Sequence, residues 1–460
     1  MSAASAQASC LSFRSENFGD DVSAPILSAF KDVDVPDYDI ITNCMHCGLC
    51  LPQCPTYALS GLERSSPRGR IRLIKAVADG DLPITDGFVE EMNFCLDCQA
   101  CETACPAGVH YGALVEAART QIGEQMPRWH WKRLMKSTLL DWLFAKTARL
   151  KSLASLIRAA ERLRLTPFLR ESRLMGRLFP RIQGIVSLAP PVSSRFSSDE
   201  LPHTTLPKGP PRFRVGFLTG CIMDVSFSDV NSDTVRLLLH HHCEVVAPKG
   251  QGCCGSLQAH NGEMSTARRL ARQLVESFAA ESLDYVIMNS AGCGAFMKEY
   301  GKILEGEDVG EEAKKLAHKV KDITEFLAET GLRVARGDDD LPKAFEGKRV
   351  TYHDACHLVH SQKISRQPRE LIRQVPGVEY IELPEATWCC GSAGIYNIVR
   401  YEDSMKLLNR KIECIKKAKP DILVTGNPGC LVQIQHGLRD EGMNIELLHT
   451  ATFLRKACNA

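Results

Sequence analysis

Two runs of four cysteines constrain this chain more than any other feature. Cys44-Met45-His46-Cys47-Gly48-Leu49-Cys50-Leu51-Pro52-Gln53-Cys54-Pro55 and Cys95-Leu96-Asp97-Cys98-Gln99-Ala100-Cys101-Glu102-Thr103-Ala104-Cys105-Pro106 share the spacing C-x2-C-x2-C-x3-C-P. Three thiolates so spaced lie on one winding loop and grip three corners of an iron–sulfur cube. The fourth has turned away along a helix and reaches the other cube. The expected ligand sets are therefore Cys44, Cys47, Cys50 and Cys105 for one [4Fe–4S] cluster, and Cys95, Cys98, Cys101 and Cys54 for the second. Pro55 and Pro106 lack an N–H and fix φ, so each redirects the chain after its cysteine. Gly48 can adopt the positive φ needed where a loop curls around metal. Closed zinc sites usually present two CxxC pairs rather than four cysteines in one run, which disfavours zinc.

The chain has 20 cysteines in 460 residues. In a secreted protein they would suggest disulfides. Residues 1–36 show no basic start followed by an apolar run, and no stretch of about 18 uncharged apolar residues occurs anywhere. The expectation is a cytoplasmic, reducing setting in which the cysteines bind metal or do redox work. With 44% hydrophobic and 24% charged residues, a sizeable core is available and the length suits about three domains. The formal net charge of +1 gives no general argument for nucleic acid, and no nucleic-acid partner is expected.

The organisation reads as a polar arm (1–36), an α-helical two-cluster ferredoxin-type domain (37–126), a helical linker (127–212) and two α/β lobes (213–340 and 341–460), a multidomain α+β and α/β fold. The lobes look like a duplication. Apolar runs at 213–218 and 348–352 lead into Cys221 and Cys356. Cys253-Cys254-Gly255 answers Cys389-Cys390-Gly391, and Cys293 answers Cys430. The landmarks stay in register over the whole length of each lobe, which argues for two homologous units. Strand-like runs at 284–288 and 421–425, and an amphipathic segment 265–280 with Leu270, Leu274 and Phe278, suggest a mostly parallel sheet with covering helices.

Each lobe offers four cysteines: Cys221, Cys253, Cys254 and Cys293 in the first, Cys356, Cys389, Cys390 and Cys430 in the second. Two adjacent cysteines can present two thiolates to one metal, and the glycine after them lets the backbone approach. One further iron–sulfur or metal centre per lobe is one reading; a structural or zinc role, or a dithiol, are the others. His353 and His357, flanking Cys356, read as satisfied structural histidines, with ligation or proton transfer as the alternative. His46 reads as a surface residue, His240-His241-His242 as a solvated helix end, and Cys10, Cys243, Cys414 and Cys458 as ordinary thiols. Arg68 and Arg70 suit either a partner's carboxylate or a salt bridge at a helix start.

With Pro67-Arg68-Gly69-Arg70-Ile71, Ser290-Ala291-Gly292-Cys293-Gly294-Ala295-Phe296, Lys298-Glu299-Tyr300-Gly301 and Cys389-Cys390-Gly391-Ser392-Ala393-Gly394, the layout from about Asp37 resembles the iron–sulfur subunit of bacterial glycolate oxidase (glycolate dehydrogenase). That resemblance implies flavin-containing partner subunits that oxidise glycolate to glyoxylate, and often D-lactate to pyruvate, with this chain relaying electrons to a quinone or other acceptor. Consistent with a flavin site elsewhere, this sequence has no G-x-G-x-x-G loop. Equivalent subunits of anaerobic glycerol-3-phosphate or lactate dehydrogenases, and a heterodisulfide-reductase-like thiol reductase, are the competing functions. In heterodisulfide-reductase-type subunits the cysteine pattern ends in CxxC; here Ser290 and Asn427 replace the first of those cysteines, which argues against a five-thiolate centre.

Between Arg128 and Arg195 stand 15 Lys/Arg and 3 Asp/Glu, interleaved with Trp129, Trp131, Leu134, Leu139, Leu140, Trp142, Leu143 and Phe144. This basic amphipathic pattern suits a helical arm packed on a partner or across the lobes. Its other reading is peripheral contact with the cytoplasmic face of a membrane.

Overall fold

The cysteine runs of the amino-terminal domain leave short helices rather than strands, and local signals fix where those helices begin. In the computed structural model, which describes residues 29–31, 33–125, 134, 138–163, 177, 179–333 and 344–460, Ser66 caps helix Pro67–Ala78 by accepting from the Gly69 N–H at 3.0 Å, with Pro67 in its first turn. Thr85 caps Asp86–Phe94 by accepting from the Phe88 N–H at 3.2 Å. These caps satisfy amide groups that a helix start otherwise leaves unpaired. The two helices pack with Tyr111–Gln125 around Ile74, Val77, Phe88, Met92, Leu114 and Ala118.

The carboxy-terminal part forms two sheets. The first contains β1 (Thr204–Thr205), β2 (Phe213–Phe217), β3 (Cys243–Val246), β4 (Tyr285–Met288) and β5 (Val320–Asp322) in the order β1-β3-β2-β4-β5. The second contains β6 (Arg349–Tyr352), β7 (Glu379–Tyr380), β8 (Ile422–Thr425) and β9 (Glu446–His449) in the order β7-β6-β8-β9. All pairings are parallel except β1 with β3. The order β3-β2-β4-β5 repeats as β7-β6-β8-β9, so the duplication read from cysteine spacing is a duplication of fold. β1 falls inside the stretch read as linker and adds an antiparallel edge to the first sheet. The four strands anticipated from apolar runs all form, and helix Met264–Ala279 buries Leu270, Leu274 and Phe278 as its period requires.

The lobes are joined through a common core. Helix Ser228–His240 of the first packs on Thr450–Ala457 of the second, and Arg366–Arg373 of the second packs on Ile323–Thr330 of the first. Leu237, Phe326, Leu371 and Phe453 meet in one apolar cluster. His240 does close a helix, but its neighbour His241 is buried: it bonds the Leu237 carbonyl through Nδ1 at 2.8 Å and accepts the Arg333 N–H through Nε2 at 2.9 Å. The expectation of a fully solvated helix end is corrected there. Trp129 and Trp131 lie outside the described residues.

Candidate metal centres

Each cysteine run curls through two left-handed residues at matching positions. They are His46 (φ 55°) and Gly48 (φ 87°) in the first run, Asp97 (φ 53°) and Gln99 (φ 58°) in the second. The repeated curl turns successive sulfurs inward. A side chain on Gly48 would press on the Arg68 guanidinium, which donates to the His46 carbonyl at 2.9 Å. The second run adopts the same shape without glycine, and the Asp97 N–H donates to the Cys95 sulfur at 3.3 Å.

The two runs differ in exposure. Cys47 and His46 are exposed, as are Met45 (66%) and Leu49 (58%). Cys95, Cys98 and Cys101 are buried. Burial pushes the Cys98 and Cys101 thiols well above their usual range, and both feel the charge of Cys54. Cys54, from the first run, lies near enough for its charge to reach the sulfurs of both runs, since Cys50 feels it too; Cys95 and Cys101 belong to the domain core, and Cys44, Cys50 and Cys105 pack against it. Arg70 is fully buried: its Nε donates to the Glu91 carbonyl at 2.7 Å and its Nη1 to Thr56 at 3.1 Å. A partner's carboxylate cannot reach it. Arg68 pairs with Glu63 at 2.6 Å, so both arginines serve the fold.

In the lobes every candidate cysteine follows a strand. Cys221 comes after β2, Cys253 and Cys254 after β3, and Cys293 after β4; Cys356, Cys389–Cys390 and Cys430 follow β6, β7 and β8. These are the carboxyl ends of parallel strands, where open α/β sheets gather ligands. In the first lobe Cys221 and Cys253 sulfurs lie 3.7 Å apart, and Cys254 contacts both Cys253 and Cys293. In the second, Cys356 contacts Cys389, Cys389 contacts Cys390, and Cys390 lies 3.6 Å from Cys430. Each lobe thus brings four thiols from three loops into one connected group. All the described cysteines are free thiols. Gly255 (φ 93°) and Gly391 (φ 91°) make this possible. A Cβ on Gly255 would meet the Ala267 carbonyl oxygen at 2.9 Å, and one on Gly391 the Ser404 carbonyl oxygen at 2.6 Å. Buried sulfurs packed this closely would repel one another as bare thiolates, and a bound metal would neutralise them. The donor sets fit metal centres.

The surroundings of the two lobe sites differ. The first is covered by the linker: Ala145 packs on Cys253, Leu143 and Phe144 on Cys221, and Gln258 donates to the Leu140 carbonyl at 3.0 Å. The second faces the amino-terminal domain, where Cys98, Leu96 and Ala100 share an apolar cluster with Trp388, Cys389 and Cys356. His357 Nε2 bonds the Asp97 carbonyl at 2.9 Å, and Ser361 donates to Gln99 at 2.6 Å. His357 is therefore a satisfied histidine, as expected. His353 is less well served: it is buried and lies toward the Ala386 backbone without a hydrogen bond of good geometry, and burial, with Lys411 nearby, holds its pKa well below the ordinary imidazole range.

A junction that sequence reasoning missed joins the amino-terminal domain to the first lobe. His260 of the first lobe places Nδ1 2.5 Å from Glu116 and 3.0 Å from Asp97. Arg119 donates to the carbonyls of Met92, Cys95 and His260. Its members come from segments 97, 116–119 and 260, so no local pattern announces it; the one signal available was an acidic residue, Asp97, inside a cysteine run.

The geometry defines an iron–sulfur electron-carrier architecture, a dicluster domain docked on a duplicated cysteine-rich unit. The family description "4Fe-4S dicluster domain" matches residues 40–109, and "Cysteine-rich domain" matches 215–298 and 350–435. The chain is 38% identical over 421 residues to the probable glycolate oxidase iron-sulfur subunit of Bacillus subtilis, covering 91% of this chain and 94% of that one. It is 29% identical to the glycolate oxidase iron-sulfur subunit of Escherichia coli, covering 85% and 89%. Lactate utilization protein A of Oceanobacillus iheyensis matches at 33% over 52% of this chain and 96% of its own. The chain belongs to the glycolate oxidase iron–sulfur subunit family.

Proposed function

We propose that this chain is the electron-transfer subunit of a flavin-dependent complex that oxidises glycolate to glyoxylate, with D-lactate as a further substrate. The observation that carries the proposal is the graded placement of the sulfur sets. Cys47 of the first run is exposed and Cys44 and Cys50 are half-buried, Cys95, Cys98 and Cys101 of the second are buried, and Cys98 shares an apolar cluster with Cys389 and Cys356 of the second lobe. When bound, [4Fe–4S] clusters held by Cys44, Cys47, Cys50 and Cys105 and by Cys95, Cys98, Cys101 and Cys54 supply one-electron carriers. The protein places one carrier where a partner's flavin can approach, beside Met45 and Leu49, and shields the next. The cysteine sets of the lobes hold a further iron–sulfur centre each. The substrate assignment is supported by the names of the two relatives that match over most of this chain; the lactate reading is supported by the third.

The test is the complex reconstituted anaerobically with its flavin-containing subunits. Glycolate should reduce the iron–sulfur signals of this chain within the enzyme's turnover time. Reduction by glycerol 3-phosphate but by neither glycolate nor D-lactate would refute the substrate assignment. Disulfide reduction by the isolated chain would favour the thiol-reductase reading.

Among the described residues no helix is long and apolar enough to cross a membrane. Helix Thr147–Arg162 nevertheless leaves Leu153, Leu156 and Ile157 exposed, with Trp142 and Leu163 exposed at its flanks and Arg149 stacked over Trp142. A peripheral contact with an anionic membrane surface follows from that pattern. Sedimentation with phosphatidylserine vesicles should be measurable at low salt and lost at high salt; equal binding to neutral vesicles would sink the idea.

A further inference from the structure

His353 stands apart from the other buried histidines. It sits after β6, three residues before Cys356, and is 1% exposed. Its ring lies toward the Ala386 backbone, yet neither nitrogen makes a hydrogen bond of good geometry. A ring nitrogen and the sulfurs of Cys390 and Cys430 all lie within 4.8 Å of one another. Leaving a buried polar group unpaired costs about 1–3 kcal/mol, so native structures rarely do so without a reason. His357 and His449 show what a structural histidine does in this fold: each reaches a backbone carbonyl, at 2.9 Å and 2.8 Å.

The duplication supplies an internal comparison. Three residues before Cys221, at the place of His353, the first lobe has Leu218, also buried. The glycine after each cysteine pair abuts the following helix at Ala267 in one lobe and at Ser404 in the other. That contact sets the register of the two helices, and in it Lys411 stands where the first lobe has Leu274. Both are fully buried. Lys411 donates to the carbonyls of Glu385 and Ala386 and lies near the Cys389 and Cys390 sulfurs. Around one shared frame of four cysteines, the first lobe places two leucines and the second places an imidazole and an ammonium. Burying both is unfavourable in an ordinary core. An imidazole nitrogen within 4.8 Å of two sulfurs, with Lys411 close by, is the environment of a metal ligand.

We infer that His353 ligates the centre of the second lobe beside Cys390 and Cys430, at the coordination position that a further thiolate takes in the first lobe, so that the two lobes hold chemically different centres. This rests on the reading that the lobes bind iron–sulfur centres. A neutral imidazole leaves a cluster less negative than a thiolate does, and histidine ligation is associated with higher reduction potential. The second-lobe centre, beside Cys98, is then the more readily reduced of the two.

The test uses the full chain prepared anaerobically with 57Fe and 15N-histidine, with iron and sulfide quantitation, pulsed EPR and Mössbauer spectroscopy in oxidised and reduced states. The wild type should show a histidine nitrogen coupling. His353→Cys should keep the iron content, lose that coupling and shift one midpoint to lower potential. His353→Leu, which copies the first lobe, should also lose the coupling. Survival of the coupling in both variants would overturn the inference. So would its absence from the wild type together with a His353→Cys Mössbauer spectrum unchanged from wild type. Cys430→Ser separates the two readings: if it leaves the iron content unchanged, the second lobe holds no centre and the assignment of His353 falls, while the relay through the amino-terminal runs stands.

Discussion

Serine in place of Cys54 should strip iron from the other cysteine run. Crossed ligation makes Cys54 the last thiolate for the set Cys95, Cys98 and Cys101, and in the structure its charge reaches Cys98 and Cys101 as well as Cys50 of its own run. Cys54 is buried, with its sulfur 3.3 Å from the Thr56 hydroxyl. The serine oxygen is a harder and poorer cluster ligand than a thiolate. Iron content should drop by about four atoms per chain, the size of one cubane. The remaining EPR spectrum should match that of Cys98→Ser, while Cys47→Ser and Cys105→Ser should share a different residual spectrum. Because the buried set is the one that packs against Cys389 and Cys356, chemical reduction of the exposed cluster should no longer be relayed to the lobes. If Cys54→Ser instead shared its residual spectrum with Cys47→Ser, ligation would be uncrossed. The assignment of all eight ligands would then have to be redrawn.

Much of this was legible because metal ligation imposes local spacing. Four cysteines at fixed intervals and a trailing proline leave few interpretations, and the duplicated lobes showed through the regular return of Cys-Cys-Gly. The strands were legible for a different reason: β8 is buried along its whole length, so it reads as a continuous apolar run. What stayed hidden depends on which surfaces meet. Nothing local in Asp97, Glu116 or His260 says that the three converge. β1 is too short to carry a period. The unlike character of Lys411 and Leu274 emerges only when the lobes are superposed through the glycine–helix contacts; that of His353 and Leu218, each three residues before its cysteine, gains meaning only from their burial beside the sulfurs. His353 read as satisfied because most buried histidines are; in the structure it lies toward the Ala386 backbone but makes no hydrogen bond of good geometry among the described residues.

Replacing His260 with leucine should undo the joint between the amino-terminal domain and the first lobe, and should change how stability responds to pH. Burial works against a charge on His260, but Glu116 and Asp97 outweigh it and hold its pKa up at about 10. An ordinary imidazole titrates near ~6.5. The folded state therefore binds this proton more tightly than the unfolded chain. The stability it contributes is full below ~6.5 and fades as pH rises toward about 10. Asp97 has the opposite sign. Burial would raise its carboxyl, yet His260 and Arg119 keep it below the usual range, so its contribution holds above ~3.9 and is lost as pH falls. Burial pushes Glu116 up, a cost that His260 offsets. Leucine removes the cation and leaves two buried carboxylates facing each other, a loss of about 3–5 kcal/mol for a broken buried pair. Urea unfolding at several pH values should show the wild type weakening between neutral and alkaline pH. His260→Leu should be much weaker at neutral pH, without that alkaline decline, and partly recovered by acid as the stranded carboxylates take up protons. A variant within about 1 kcal/mol of wild type, with the same alkaline slope, would mean that the joint is held by Arg119 and the apolar contacts alone.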